Sequence, residues 1–243
     1  MPTTAYLKAC INGARTPDQL AGLPVTPEQL ADAAVAARRA GAQAVHLHPK
    51  TPDGVDSLAP EVVAAAVTAV RSAAPGLPLG VTTGFWALPD QQERWRAVES
   101  WTVLPDFASV NWHEPGSPEL VELLLSRGLG VEVGIFHAEA ADSWAQSAVA
   151  PHCLRVMIEL QAEGDTATAD DLLARIRRAD SPAPVLLHGL DDSCWPLLRH
   201  AGVRGLQTRI GLEDTLTLPD GSTAPGNAEL VAAAVDILGQ VSR

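Results

Sequence analysis

Two histidines one residue apart, His46 and His48, are the first place in this sequence where side-chain type and spacing suggest chemistry. They flank Leu47 in the run AVHLH at 44–48, which reads as a strand that ends immediately before Pro49. Residues two apart on a strand point to the same side, so both imidazoles project together. Two imidazoles so placed can hold one divalent ion, zinc being the common choice. The plainer alternative is a pair of hydrogen-bonded residues at the rim of a sheet, and the side-by-side placement favours metal over it.

Two imidazoles rarely complete a metal site, so a carboxylate is expected. The segment TRIGLED at 208–214 supplies Glu213 and Asp214 just beyond a strand. One division of labour has Glu213 ligating and Asp214 acting as general base. Arg209 can pair with Asp214 and hold it ionised and oriented. The alternative is an acidic helix cap or a solvated loop. In VTTG at 81–84, the hydroxyls of Thr82 and Thr83 and the backbone at Gly84 can bind a carboxylate or assist an acyl transfer, although such a stretch is also an ordinary turn. VLLHGLDD at 185–192 carries His188, Asp191 and Asp192, a second polar cluster or, as favoured here, the cap of the next helix. Asn111, Glu132 and Glu159 are further mouth or interior candidates, and an interior charge needs a partner. His113, His137, His152 and His200 read as loop or surface residues.

The elements that must position these groups alternate from end to end. Strands are expected at 5–11, 44–48, 77–83, 107–112, 130–136, 154–160, 185–188 and 205–210. Helices are expected at 26–40, 58–74, 90–101, 118–127, 138–149, 169–179, 194–201 and 227–241. The first helix carries Thr26 as N-cap, Pro27 in its first turn, Gln29 in the capping-box position and Gly41 as its stop. Repeated strand–helix units imply a parallel sheet, and eight of them in 243 residues predict a (β/α)8 TIM barrel as one domain over 1–243. An open doubly wound sheet would want a glycine-rich phosphate turn after its first strand, and INGAR at 11–15 has a single glycine. In a closed barrel, strands two and eight both flank strand one, so Glu213 can reach the histidines across its mouth. The loops at 12–25, 49–57 and 211–226 follow strands and belong to the C-terminal face, where barrel enzymes keep their sites.

Composition narrows the partners. The formal charge is −12, from 17 Lys and Arg against 29 Asp and Glu, which disfavours nucleic acid and anionic membranes. Apolar residues make up 47% and aromatic residues 4%, which excludes a disordered chain and favours helix over an all-β fold. No apolar run is long enough for a transmembrane helix, and MPTTAYLKACINGART lacks the pattern of a signal peptide. The cysteines, Cys10, Cys153 and Cys194, form no paired motif, so buried reduced thiols in a cytoplasmic protein are expected.

INGAR, GLPVTPEQL opening the first helix, AGAQAVHLHPK across the second strand, VTTG and RIGLED together resemble the β-keto acid cleavage enzymes, the family that includes 3-keto-5-aminohexanoate cleavage enzyme. Anchors run from Ile11 to Val231, and the stretch 138–193 matches least. The resemblance implies a zinc-dependent barrel that condenses a β-keto acid with acetyl-CoA, giving acetoacetate and a new acyl-CoA. His46, His48 and Glu213 match the family's metal ligands. Asp214 matches the base that takes a proton from C2, and Arg209 its orienting partner. Thr82 stands where a serine is implicated in CoA transfer, and the hydroxyl is retained. A homo-oligomer is also implied. Two positions depart from the pattern. Arg15 replaces a glutamate that reads a substrate amino group, so a β-keto acid with an acidic or otherwise polar distal group is expected. Pro49–Lys50 replaces an apolar–arginine pair, which changes how that loop is braced. Two competing readings stay open: a metal-dependent hydrolase of the amidohydrolase type, which usually adds a lysine or later-strand histidines, and a non-catalytic barrel that binds a small anion.

Overall fold

A computed structural model describes residues 6–241. Residues 1–5 lie outside the described residues, and with them Ala5 of the expected first strand and part of the segment read for a leader. Eight strands alternate with eight helices along the described chain: β1 (Leu7–Cys10), α1 (Pro27–Ala40), β2 (Ala44–Leu47), α2 (Pro60–Ala73), β3 (Leu79–Thr82), α3 (Gln91–Glu99), β4 (Phe107–Asn111), α4 (Ser117–Ser126), β5 (Gly130–Ile135), α5 (Ala138–Ala145), β6 (Arg155–Leu160), α6 (Thr166–Ile176), β7 (Val185–Gly189), α7 (Cys194–Arg204), β8 (Thr208–Ile210) and α8 (Asn227–Val241).

The strands are parallel and run β7-β6-β5-β4-β3-β2-β1-β8 around the sheet. Gln207 closes the ring: its N–H donates to the Val185 carbonyl at 3.1 Å, and its own carbonyl accepts from Leu187 at 2.9 Å. This is a (β/α)8 TIM barrel. β1 pairs with β2 on one side (Cys10 with His46) and with β8 on the other (Ala9 with Ile210), so the ends of β2 and β8 bracket the mouth of β1.

Alternation along each strand sorts the side chains. Leu7, Ala9, Val45, Leu47, Val81, Val133 and Ile158 join the apolar layer between sheet and helices. The opposite phase turns polar groups such as Lys8, His46, Glu132, Arg155 and Arg209 into the barrel beside the apolar Phe107, Met157 and Leu186, and the floor is an ion cluster. Glu132 of β5 takes both the Lys8 ammonium of β1 and the Arg155 guanidinium of β6. All three side chains are buried, so the interior carboxylate expected at Glu132 has its partners. Burial pushes its pKa up, but the two cations outweigh that and hold it below the usual carboxylate range.

Local signals explain the helix ends. Thr26 and Gln29 form the capping box on α1, and Gly41 ends the helix with φ +118. α6 starts three residues before the expected 169 because Asp165 accepts the Thr168 N–H and starts the helix there. α7 runs three residues past the expected 201, to a left-handed Gly205. No helix among the described residues is long and apolar enough to cross a membrane. All three cysteines are free and buried.

Candidate metal centre and active site

The mouth of β1 brings together residues far apart in sequence. His46 lies within β2 and His48 just past its end, and both imidazoles are buried. Glu213 arrives from the loop after β8, where its N–H donates to the Cys10 carbonyl at 3.2 Å. Gly13, in the loop after β1, leaves it room: a Cβ there would meet Glu213 Cγ at 2.5 Å, and the backbone holds φ +60. Glu213 Oε2 lies 3.9 Å from His46 Nε2 and 3.7 Å from His48 Nε2. The ligand atoms of the three residues all lie within 4.8 Å of one another, the sole such group among the described residues.

These residues fit a divalent ion. Atoms bound to one ion at ~2.0–2.2 Å lie at most about 4.4 Å apart, which the two nitrogen–oxygen separations satisfy. Glu213 Oε2 is buried without a hydrogen-bond partner, as a ligand oxygen would be. Burial, together with the nearby Lys8, His48 and Arg209, pushes the His46 pKa well below its usual value, so this imidazole is neutral and its lone pair is free. Two nitrogens and one carboxylate oxygen suit zinc.

Next to the triad is a buried acid–base cluster. Arg209 of β8 donates to Asp214 Oδ1 at 3.0 and 2.7 Å and to Glu213 Oε1 at 2.9 Å. Burial raises the Asp214 pKa, but Arg209 and His188 outweigh it and hold the carboxyl below its usual range. His188 belongs to this cluster rather than to a helix cap. Its Nδ1 lies 3.5 Å from Asp214 Oδ1 and its Nε2 lies 3.2 Å from Glu159 Oε2. Asp191 and Asp192 are exposed and form the short turn leading into α7. Asp214 itself is fully buried, and its Oδ2 has no hydrogen-bond partner.

The triad opens into a cavity of ≈ 240 Å³, which Thr82, Asn111, Glu159 and Arg209 also line. Thr82 Oγ1 accepts the Gly84 N–H at 3.0 Å, leaving its own hydroxyl proton for the cavity. Thr83 points elsewhere, donating to the Ser109 carbonyl at 2.7 Å, and Gly84 packs against Trp86; neither lines this cavity. Asn111 donates to Glu114 at 3.0 Å, and Glu114 also takes Arg94 at 2.6 Å. His113, exposed in the turn after β4 as expected, also lines the cavity. Arg15 sits in an adjoining recess with Glu159 and Glu213, where it donates to the Leu212 carbonyl at 2.6 Å and to Asp191 at 3.1 Å.

Two residues absent from the sequence reading hold His48. The Asn12 amide donates to the His48 carbonyl and accepts its N–H, each at 2.8 Å. Asp56 faces His48 Nδ1 at 2.8 Å. Asn12 stands in INGAR, whose position against the second strand is the only hint; Asp56 has no sequence signal.

Fold and site together define a (β/α)8 barrel with two histidines and one carboxylate, placed so that they could hold one divalent ion, at the C-terminal mouth of its strands. Residues 5–243 match the β-keto acid cleavage enzyme family, and the chain belongs to it. It is 24% identical to 3-keto-5-aminohexanoate cleavage enzyme of Acetoanaerobium sticklandii over 98% of this chain and 92% of that protein. The similar enzyme of Fusobacterium nucleatum is 23% identical over the same shares. Among solved structures, the ternary complex of ObcA with a C4-CoA adduct and oxalate superposes with a TM-score of 0.69 at 19% identity, covering 90% of this chain and 64% of that one. The chain thus spans less than two thirds of ObcA, a likeness that shows the fold alone.

Proposed function

We propose that this protein is a zinc-dependent β-keto acid cleavage enzyme that condenses a β-keto acid with acetyl-CoA, releasing acetoacetate and a new acyl-CoA. The observation that carries the reading is the convergence of His46, His48 and Glu213 beside an Asp214 held by Arg209. The names of the curated relatives support the keto acid, and the CoA adduct in the ObcA complex supports the co-substrate.

His46, His48 and Glu213 would hold the zinc. When bound, it supplies a Lewis acid for the keto and carboxylate oxygens of the substrate, which acidifies the C2 proton. Asp214, kept ionised and oriented by Arg209, takes that proton. The C2 carbanion attacks the thioester carbonyl of acetyl-CoA and expels the thiolate. The thiolate adds to the former keto carbon, the bond between C2 and that carbon breaks, and the departing acetoacetate carbanion recovers a proton from Asp214. The Thr82 hydroxyl, free to donate into the cavity, stabilises the acyl oxygen during transfer. Asn111 lines the substrate cavity, while Thr83 and Gly84 act by shaping the wall behind Thr82 and Trp86. Arg15 and Glu159 share one recess at the mouth, so the distal group they read is polar, with an acidic group drawn to Arg15. His188 accepts the Arg209 Nε–H at 3.1 Å beside Glu159 and Asp214 and does not join the metal group, which counts against a hydrolase of the amidohydrolase type.

The test is metal analysis of the purified protein joined to a panel of β-keto acids with and without acetyl-CoA. Zinc near one per chain, lost in His46→Ala, and acetoacetate formed only with acetyl-CoA are the expected results. Turnover without acetyl-CoA would give the hydrolase reading instead. Asp214→Asn is expected to retain zinc while losing roughly 10²–10⁴-fold in rate; ligand binding with no turnover in the wild-type protein would leave a binding barrel.

A further inference from the structure

Asp56 is a buried acid that the proposed reaction does not use. It lies in the loop after β2, and a clasp brings it back to the histidines. Lys50 and Asp56 form an antiparallel bridge, and the Ser57 N–H donates to the Pro49 carbonyl at 2.9 Å. Three side chains converge on the carboxylate. Its Oδ2 faces His48 Nδ1 at 2.8 Å and accepts the Trp86 indole N–H at 2.9 Å, while its Oδ1 takes the Lys50 ammonium. The indole lies along the His48 ring, with centroids 5.7 Å apart and planes 25° apart. It occupies space that only a glycine at 84 leaves open, since a Cβ there would come within 2.1 Å of it.

A carboxylate only accepts hydrogen bonds, and a neutral imidazole carries one N–H. In its neutral, metal-binding form, a His48 bonded to Asp56 therefore has its proton on Nδ1 and its lone pair on Nε2, the atom 3.7 Å from Glu213. His46 Nδ1, by contrast, is buried with no hydrogen-bond partner. We propose that Asp56 is the positioning residue of the metal centre: it fixes the tautomer and ring orientation of His48, and Lys50 and Trp86 hold it in place. This rests on the zinc reading of the same site. Outer partners of metal-binding histidines typically carry 10–100-fold in metal affinity.

Two measurements test it: zinc affinity by competition with a chromophoric chelator, and the His48 tautomer by ¹⁵N NMR on histidine-labelled, zinc-free protein. The wild-type protein is expected to show the Nδ1–H form. Asp56→Ala is expected to bind zinc roughly 10–100-fold more weakly and to mix the tautomers. Asp56→Asn, which keeps an acceptor oxygen, restores most of the Nδ1–H signal. Asp56→Ala strands a buried Lys50, so Asp56→Ala with Lys50→Met is the control that keeps both readouts if the single variant fails to fold. An Nε2–H tautomer in the wild-type protein, or wild-type zinc affinity in the folded double variant, overturns the inference. A wild-type protein that takes no zinc would overturn the zinc reading instead, and the tautomer would still decide the place of Asp56.

Discussion

Replacing Arg209 with methionine asks whether one cation holds the acidic cluster together. The guanidinium makes three hydrogen bonds to Asp214 and Glu213, at 2.7–3.0 Å, and lies 3.9 Å from Glu159. Arg209 is 3% exposed and Asp214 0%. Methionine restores part of the volume and none of the charge, so the carboxylates keep their burial and lose their counter-ion. Removing one partner of a buried ion pair costs about 3–5 kcal/mol. For a chain of this length each kcal/mol is worth roughly 2–4 °C in Tm, so a fall of about 6–20 °C is expected at neutral pH.

The pH dependence makes the test sharper. In the wild-type protein the folded Asp214 pKa is depressed, so its stabilisation is present above the unfolded value of about 3.9 and is lost as pH falls through the folded value. In Arg209→Met burial is no longer outweighed by the guanidinium, and the carboxyl moves up. The folded variant then binds a proton the unfolded chain releases, so stability falls as pH rises from about 4. Thermal unfolding followed by circular dichroism from acid to neutral pH, with a chelator present, measures both effects. A variant that melts within about 2 °C of wild type at neutral pH, with the same pH slope, refutes the reasoning.

Other outcomes follow from the same contacts. Lys8→Met leaves Glu132 with Arg155 alone on the barrel floor, and denaturant unfolding is expected to show a loss of about 3–5 kcal/mol. Asn12→Ala strands the His48 N–H and carbonyl, costing about 1–3 kcal/mol by the same measurement and weakening zinc binding. Gly13→Ala forces a left-handed backbone and a Cβ against Glu213, so calorimetric titration is expected to show weaker zinc binding than wild type. With free zinc at a hundred times its Kd, binding adds about 2.7 kcal/mol, so EDTA is expected to lower Tm by roughly 5–11 °C.

The histidine pair was legible in the sequence because the period of a strand is local: two residues apart means the same side, wherever the strand ends up. Glu213 was legible only through topology, since closing eight units sets β8 beside β1 and brings residues 167 and 165 positions apart to one ion. Asp56 was not legible because its approach to His48 depends on the Lys50–Asp56 clasp, a loop geometry that no periodicity announces. His188 was misread for a related reason: HGLDD carries a helix-start pattern, but the strand alternation that turns its histidine inward competes with that signal, and the closed sheet decided for the barrel. Lys8, Glu132 and Arg155 sit on three strands, and their convergence exists only once the ring is closed.

The interior charges divide in a way that bears on the ion. On the floor, Lys8 and Arg155 face Glu132, an excess of one positive charge. Asp56 is matched by Lys50, and Glu114 by Arg94. At the mouth, Glu213, Asp214 and Glu159 all lie within 4 Å of Arg209, the one guanidinium among the described residues that pairs with them, since Arg15 in the adjoining recess pairs with Asp191. With His46 neutral, three carboxylates against one cation leave two negative charges in a largely buried space. Buried charge is stable only when it is paired or coordinated, and two positive charges beside Glu213 are what a divalent ion brings. The same balance accounts for Arg209 contacting Glu213 through Oε1 alone: Oε2, left without a hydrogen bond, is the oxygen that faces both histidines.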